Sequence, residues 1–356
     1  MLPNYSILHK QDIFITEKYE PDIRRDELSF LSRSFERHFN ERPYLHHTCY
    51  LFLTKTTKER SRQQSNWNTL CRGFLVPKEI RDKETVEQFM EAVGQFESIV
   101  NDSGLVRLER LTTEEITGME NEPGIIERYL TLSADGTTML QDMQLNPDGM
   151  RIGDKRLCLH TLSDLDYLPG KVRTDGRYER LSTDRSDCRL SYAAPVGVML
   201  PCDHIYNQWI FIDDSNENLS RFEKMAKNMQ SLSRYSRSNQ INKEWLDEYL
   251  NEAHSNGLQS VRCHCNIIAW AENGDELRRV KNDVGSALAL MECTPHHNTT
   301  DLPALYWAGI PGNEADFPAE ETFYTFTGQA LCFFTAETCY RNSLSPFGIR
   351  MVDRPV

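Results

Sequence analysis

The chain has 356 residues, a formal net charge of −13, 39% hydrophobic residues and 10% aromatic residues. This is enough apolar content for a real core, so a disordered chain is excluded, and an acidic balance argues against a general nucleic-acid-binding surface, which needs Lys and Arg in net excess. Ten scattered cysteines are too sparse for a disulfide scaffold and predict reduced, mostly buried thiols in a reducing, cytoplasmic setting. No signal peptide is visible after Met1, and no run approaches the roughly 20 apolar residues that span a bilayer. Membrane association is therefore expected to be peripheral or through a partner. Both ends of the sequence read as cuts.

From Tyr5 to Tyr19 the pattern is that of a strand, with Ile13, Phe14 and Ile15 at its heart and Pro21 ending it. Between Asp26 and Asn40, Leu28, Leu31, Phe35 and Phe39 mark one helix face, and Pro43 precedes a second strand, YLHHTCYLFLT. The basic segment KTTKERSRQQSNWN, with Lys55, Lys58, Arg60 and Arg62, has no apolar period and reads as an exposed loop. A helix over Lys83 to Asp102 carries Val86, Phe89, Val93, Phe96 and Val100, with Gly104 where a C-terminal cap belongs. Leu105 to Leu111 reads as a strand. Thr112 and Glu115 have capping-box spacing for a short helix limited by Gly118, and Glu127 to Leu132 prolongs the helical region.

Ser133 to Leu200 differs in character. Short β-like pieces (TTMLQDMQL, RLCLHTLSD, CRLSYA) alternate with Asn146-Pro147-Asp148-Gly149, Pro169-Gly170 and Asp175-Gly176, which predicts small antiparallel strands and long loops. The segment Lys171 to Asp187 mixes both signs of charge and reads as solvated surface, the alternative being a docking surface for another subunit.

From Asp203 the strand HIYNQWIFI leads to Asp213-Asp214-Ser215, a helix start, and a helix with Leu219, Phe222, Met225, Met229 and Leu232 on one face. After a short break at Asn239 to Asn242, a second helix aligns Ile241, Trp245, Tyr249 and Ala253 and ends at Asn256-Gly257. Then comes LQSVRCHCNIIAWA, where Val261, Cys263, Cys265, Ile267 and Ala269 share one face while Ile268 and Trp270 make the other apolar: a strand buried on both sides. Leu277, Val280, Val284, Ala287, Leu288 and Met291 follow on one helix face. The run LPALYWAGIPGN ends in a Pro-Gly-Asn turn, and Ala330 to Phe334 reads as a last apolar strand.

The chemical motifs have plain readings. WIFIDD at Trp209 to Asp214 has the form of a Walker B strand, yet no GxxxxGK[ST] phosphate loop occurs in these residues, so Asp214 and Ser215 read as helix caps. Gly309 and Gly312 are too few and wrongly flanked to cradle phosphates. In an extended strand Cys263 and Cys265 share a face while His264 points away, and neither His46-His47 nor His296-His297 completes a zinc pattern. No GxSxG elbow is present. No catalytic, cofactor-binding or metal-binding residue is therefore nominated.

Long strings of the sequence, among them HHTCYLFLTKTTKERSR, EAVGQFESIVNDSG, LSTDRSDCRLS, HIYNQWIFIDDS, FEKMAKNMQSLSRYSRSNQIN and SPFGIRMVDR, resemble the TraG ATPases of Bacteroides-type conjugative transposons, within the VirB-type ATPases of type IV secretion. The resemblance covers essentially the whole chain and corresponds to the part ahead of the motor. It implies an N-terminal docking and coupling region at the inner face of the inner membrane. The expected partners are inner-membrane channel subunits of the conjugation machinery, the protein's own C-terminal ATPase domain, and further copies in a homo-oligomer. No cofactor is expected in this chain, with ATP and Mg reserved for a motor beyond Val356; DNA binding is expected to be weak or absent. The alternative is a single-stranded DNA-binding module using Lys55 to Arg62 and Arg234, Tyr235 and Arg237. The expected fold is α+β with mixed sheets: an α/β lobe over 1–132, a β-rich middle over 133–202 and a second α/β lobe with its connector over 203–356.

Overall fold

All twelve residues of the strand Ser260–Ala271 are buried, and the rest of the molecule is arranged around it. The structure, a computed structural model, describes residues 2–18, 30–40, 43–61, 82–104, 106–119, 122–133, 141–146, 149–180, 182–185, 187–232 and 236–335. Its strands are β1 (Ser6–Lys18), β2 (Pro43–Lys55), β3 (Met143–Asn146), β4 (Gly149–Ile152), β5 (Lys155–Leu162), β6 (Asp175–Arg177), β7 (Arg189–Ser191), β8 (His204–Ile212), β9 (Ser260–Ala271) and β10 (Phe323–Phe326). The main sheet runs β2-β1-β8-β9-β5-β4-β3. β9 is long enough for its far edge to serve both β5, opposite Cys265 to Ala271, and β10, opposite Ser260 to Cys263.

The fold is α+β, as the sequence implies. Every ladder between the described strands is antiparallel, so β1, the Phe30–Asn40 helix and β2 return beside one another without a parallel crossover. The stretches 1–132, 133–202 and 203–356 all contribute strands to this one sheet.

Alternation along β9 sorts the core into two layers. Val261, Cys263, Cys265, Ile267 and Ala269 pack under Val280, Val284, Ala287 and Leu288 of the Gly274–Leu290 helix, whose Asn273 cap accepts from the Glu276 N–H at 2.8 Å. Ile268 and Trp270, with Leu157, Leu159, Ile205 and Trp209, are covered by Leu302, Leu305 and Tyr306 and by Tyr129 of the Ile125–Thr131 helix. A third cluster joins the Ser215–Leu232 and Arg237–Asn256 helices through Leu219, Phe222, Leu250 and Ala253.

Four local expectations are corrected. Residues 106–112 form no strand; both backbone groups of Leu108 are held by the Asn101 side chain, at 2.7 and 3.3 Å, and Val106 is exposed. Asn239 to Asn242 lie inside a helix that starts after Ser236, whose hydroxyl accepts from Ser238 N–H; residues 233–235, between the two helices, lie outside those described. Ala330 to Phe334 is not a strand: Thr327–Leu331 is helical, and β10 precedes it at Phe323–Phe326. An all-apolar run of five cannot choose between the two periods, and here Ala330 and Phe333, three apart, are the buried pair. The basic loop contains a short helix, Lys58–Ser61, and Arg62 falls outside the described residues. On the Phe30–Asn40 helix Leu31 is exposed, and Leu28 and the connector SPFGIRMVD also lie outside the described residues.

Candidate functional site

Two buried polar clusters, one on each face of the sheet, tie the segment 309–335 to β1. On the first face β1, β8 and β9 place His9, Gln11, Asn207, His264 and Asn266 side by side, because odd positions of β1 and β8 and even positions of β9 point the same way. Asn207 Oδ1 meets His9 Nε2 at 3.1 Å and accepts from Gln11 Nε2 at 2.9 Å, while Asn207 Nδ2 donates to Asn266 Oδ1 at 3.1 Å. Asn266 Nδ2 faces His264 Nε2 at 3.1 Å, and the other ring nitrogen of His264 donates to the Glu321 carbonyl at 2.5 Å. Burial lowers His264 to about 3, so it is neutral with its proton on Nδ1.

The Pro-Gly-Asn turn closes over this chain of groups. Glu314, with no exposed surface, lies 3.5 Å from His9 Nδ1 and accepts from Thr54 Oγ1 at 2.9 Å and Gly312 N–H at 3.2 Å. Burial alone would raise its carboxyl; the His9 contact, followed by its own backbone N–H and the Thr54 hydroxyl, outweighs that and holds it below the usual range. The two glycines are explained here. A Cβ on Gly309 would lie 2.5 Å from Tyr129 Oη, and Gly312 has φ +91°, a conformation only glycine adopts easily. Tyr129 and Tyr306 fix the approach reciprocally, each hydroxyl donating to the other's carbonyl, at 2.9 and 3.0 Å. The turn is a clamp on the sheet.

On the opposite face Asp12 is wholly buried. His47 Nε2 meets its Oδ1 at 2.9 Å, Gln208 donates to Oδ2 at 3.0 Å, Lys10 pairs with it directly, and Thr335 Oγ1 donates at 2.6 Å. Burial opposes ionisation, but the His47 hydrogen bond and the Lys10 ammonium prevail and hold the carboxyl well below its ordinary value. Lys10 also donates to Thr335 Oγ1 at 2.6 Å, and Tyr206 donates to the Phe333 carbonyl at 2.8 Å. Residues 333–335 are thus pinned to β1 and β8 through Asp12, Lys10 and Tyr206. The sequence held no local sign of this cluster, because its members are separated by up to 325 positions.

The weighed motifs fall as follows. Asp213 forms a buried fork with Arg262, at 2.6 and 3.2 Å, and is committed to that pair. Asp214 accepts from Glu217 N–H at 3.1 Å, a cap, whereas Ser215 bonds to Ser260 N–H across to β9. Cys263 and Cys265 lie in the layer under the Gly274–Leu290 helix and His264 in the other. His46 approaches Glu17 at 3.6 Å, His296 stacks on Tyr167, and His297 meets His160 edge-on. Among the described residues no group of three or more His, Cys, Asp or Glu is arranged to hold an ion. Lys55 donates to the Asn4 carbonyl, Lys58 pairs with Glu217 at 2.8 Å and Arg60 with Asp316 at 2.5 Å, so these three cations bind the protein itself. Arg237 is exposed, and Arg234 and Tyr235 lie outside the described residues.

A cleft opens beside the first face, lined by the apolar Ile13, Ile15, Ile125, Leu132, Ile205 and Trp270 and by Glu17, His46, Tyr50 and Arg128 among others. At about 70 Å³ it is far below the roughly 300 Å³ at which small-molecule sites begin. No protein-family model and no curated protein matches the chain. No helix among the described residues is long and apolar enough to cross a membrane.

Proposed function

We infer that this chain is the non-catalytic docking and coupling region of a TraG-like conjugation ATPase, working at the cytoplasmic face of the inner membrane between channel subunits and a motor that follows Val356. The observation that supports it is the pinning of residues 333–335 to the buried Asp12–Lys10 pair. Force applied to the segment leading toward Val356 reaches the centre of the sheet through hydrogen bonds to buried charge, which are the strongest kind available. A rigid sheet with both faces covered transmits that displacement without deforming. On this reading ATP chemistry belongs to the motor, and the groups here serve the fold: Asp213 pairs with Arg262, and Tyr129 and Glu314 pack against the glycines of the Pro-Gly-Asn turn.

Cosedimentation tests the docking half directly. Membranes from cells that express the conjugation channel subunits should retain the purified chain, and membranes from the same cells lacking those genes should not. Equal retention by both, or by neither, would remove the docking role.

A further inference from the structure

The two ends of the sheet are unlike. One is β3, four residues long; the other is β2, thirteen residues, with no strand on its outer side among the described residues. Long open edges are templates for another strand, and proteins ordinarily blunt them with lysines, prolines or bulges. In β2 these stand only at its ends, Pro43 first and Lys55 last: from Tyr44 to Thr54 it carries no Asp, Glu, Lys or Arg, and its pairing with β1 runs unbroken over all thirteen positions. Tyr44, His46, His47 and Cys49 are exposed.

We propose that β2 pairs with β2 of a second copy, antiparallel about a two-fold axis at Cys49, joining the two sheets into one. An isologous contact sets each residue against its mirror in the strand. With Cys49 on the axis, Leu45 faces Leu53 and His47 faces Leu51 on one side, while Thr48 faces Tyr50 and His46 faces Phe52 on the other. No charges of like sign meet, and the register is self-complementary. The cleft strengthens the choice, because His46, Thr48 and Tyr50 of this same strand line it together with Arg128. The second copy's Tyr50, opposite Thr48, comes beside that lining, where an aromatic face can meet the guanidinium. Backbone ladders supply the affinity and the cleft supplies the side-chain recognition, the usual division in strand addition. Each copy carries −13 overall, so added salt should strengthen the association by screening repulsion between the bodies.

Sedimentation of the 356-residue chain over a nanomolar to high-micromolar range should show a reversible monomer–dimer equilibrium, tighter in high salt. Hydrogen exchange at the two ends of that range should show protection gained over residues 44–54 in the dimer. Cys49→Lys, which sets two ammonium groups against each other on the axis, should weaken dimerisation at least tenfold, and the thermal melt of the monomer at nanomolar concentration reports separately what the change does to the Asp12–Lys10 cluster that Cys49 adjoins. A chain that stays monomeric throughout, which would leave the edge to a strand of some other protein, overturns the proposal. So does a dimer whose 44–54 exchange is unchanged, or one that Cys49→Lys leaves intact.

Discussion

Replacing Trp270 with Ala should destabilise the protein by about 3 kcal/mol, the low end of the range for large aromatic truncations. The side chain is 4% exposed and packs in the layer with Leu157, Ile268 and Leu305. An indole burying roughly 150–250 Å² at about 25 cal/mol per Å² is worth about 4–6 kcal/mol. Two features of its surroundings reduce the loss. Its Nε1–H is buried without a partner, so truncation also removes a desolvation cost of about 1–3 kcal/mol. It also lines the open cleft, so water can enter part of the space left behind. Trp209 is the comparison: its Nε1–H is likewise buried without a partner, but it has no exposed surface, does not line the cleft and stacks on His9 at 4.3 Å, so Trp209→Ala should cost more, about 4 kcal/mol. Arg278, on the wet side of the Gly274–Leu290 helix and paired only with exposed Asp275, should change stability by less than about 0.5 kcal/mol when replaced by Ala. Urea melts of the three variants at constant m-value give the ranking. Equal, small shifts for Trp270→Ala and Arg278→Ala would show that β9 is not the mechanical centre.

Purified alone, the chain should not hydrolyse ATP, since its sequence has no GxxxxGK[ST] loop to hold the β- and γ-phosphates; activity that copurifies with it and is lost in Asp213→Ala would refute this. Binding to single-stranded oligonucleotides should be weak at physiological salt and nearly unchanged when Lys55, Lys58 and Arg60 become Glu, because all three already have partners in the protein; submicromolar affinity lost in that variant would restore the DNA reading. Stability should fall as pH drops below about 6.5, the ordinary histidine value. Burial holds His264 at about 3 and His160 at about 4, so the unfolded chain takes up protons there that the folded chain refuses. The depressed carboxyls of Asp12 and Glu314 extend the loss further into acid, their contribution being present above the ordinary carboxylate value and lost as pH falls through the folded one. His160→Leu, which removes a buried Nδ1 lacking a partner, should flatten the slope between about pH 6.5 and 4; chemical melts across that range would expose an unchanged slope as the contrary result.

Alternation and helical spacing made β1, β5, β8 and β9 legible, along with the Gly274–Leu290 helix, since these periods encode which face is buried; β2 and the Lys83–Asp102 helix were readable too, although neither has a buried residue and Val86 is exposed. The local signals at Gly104, Thr112 with Glu115, and Gly257 were equally readable. What the sequence could not show is the meeting of distant polar groups. His9 with Glu314, and Asp12 with Thr335, look like ordinary strand and turn residues until the sheet order brings them within hydrogen-bonding distance. The basic loop misled for a related reason: a run of cations suggests a partner outside the chain, and the acidic partners, Glu217 and Asp316, lie far away in sequence.

The coupling role rests on the anchor of residues 333–335, and conjugative transfer by the full-length protein carrying Thr335→Val and Tyr206→Phe tests it most directly. These changes remove the hydroxyls that bind Asp12 and the Phe333 carbonyl and leave the buried charges paired. The account predicts that the motor still hydrolyses ATP at its normal rate while transfer falls by an order of magnitude or more. Transfer at the unmodified level, with the double variant folded, would contradict it.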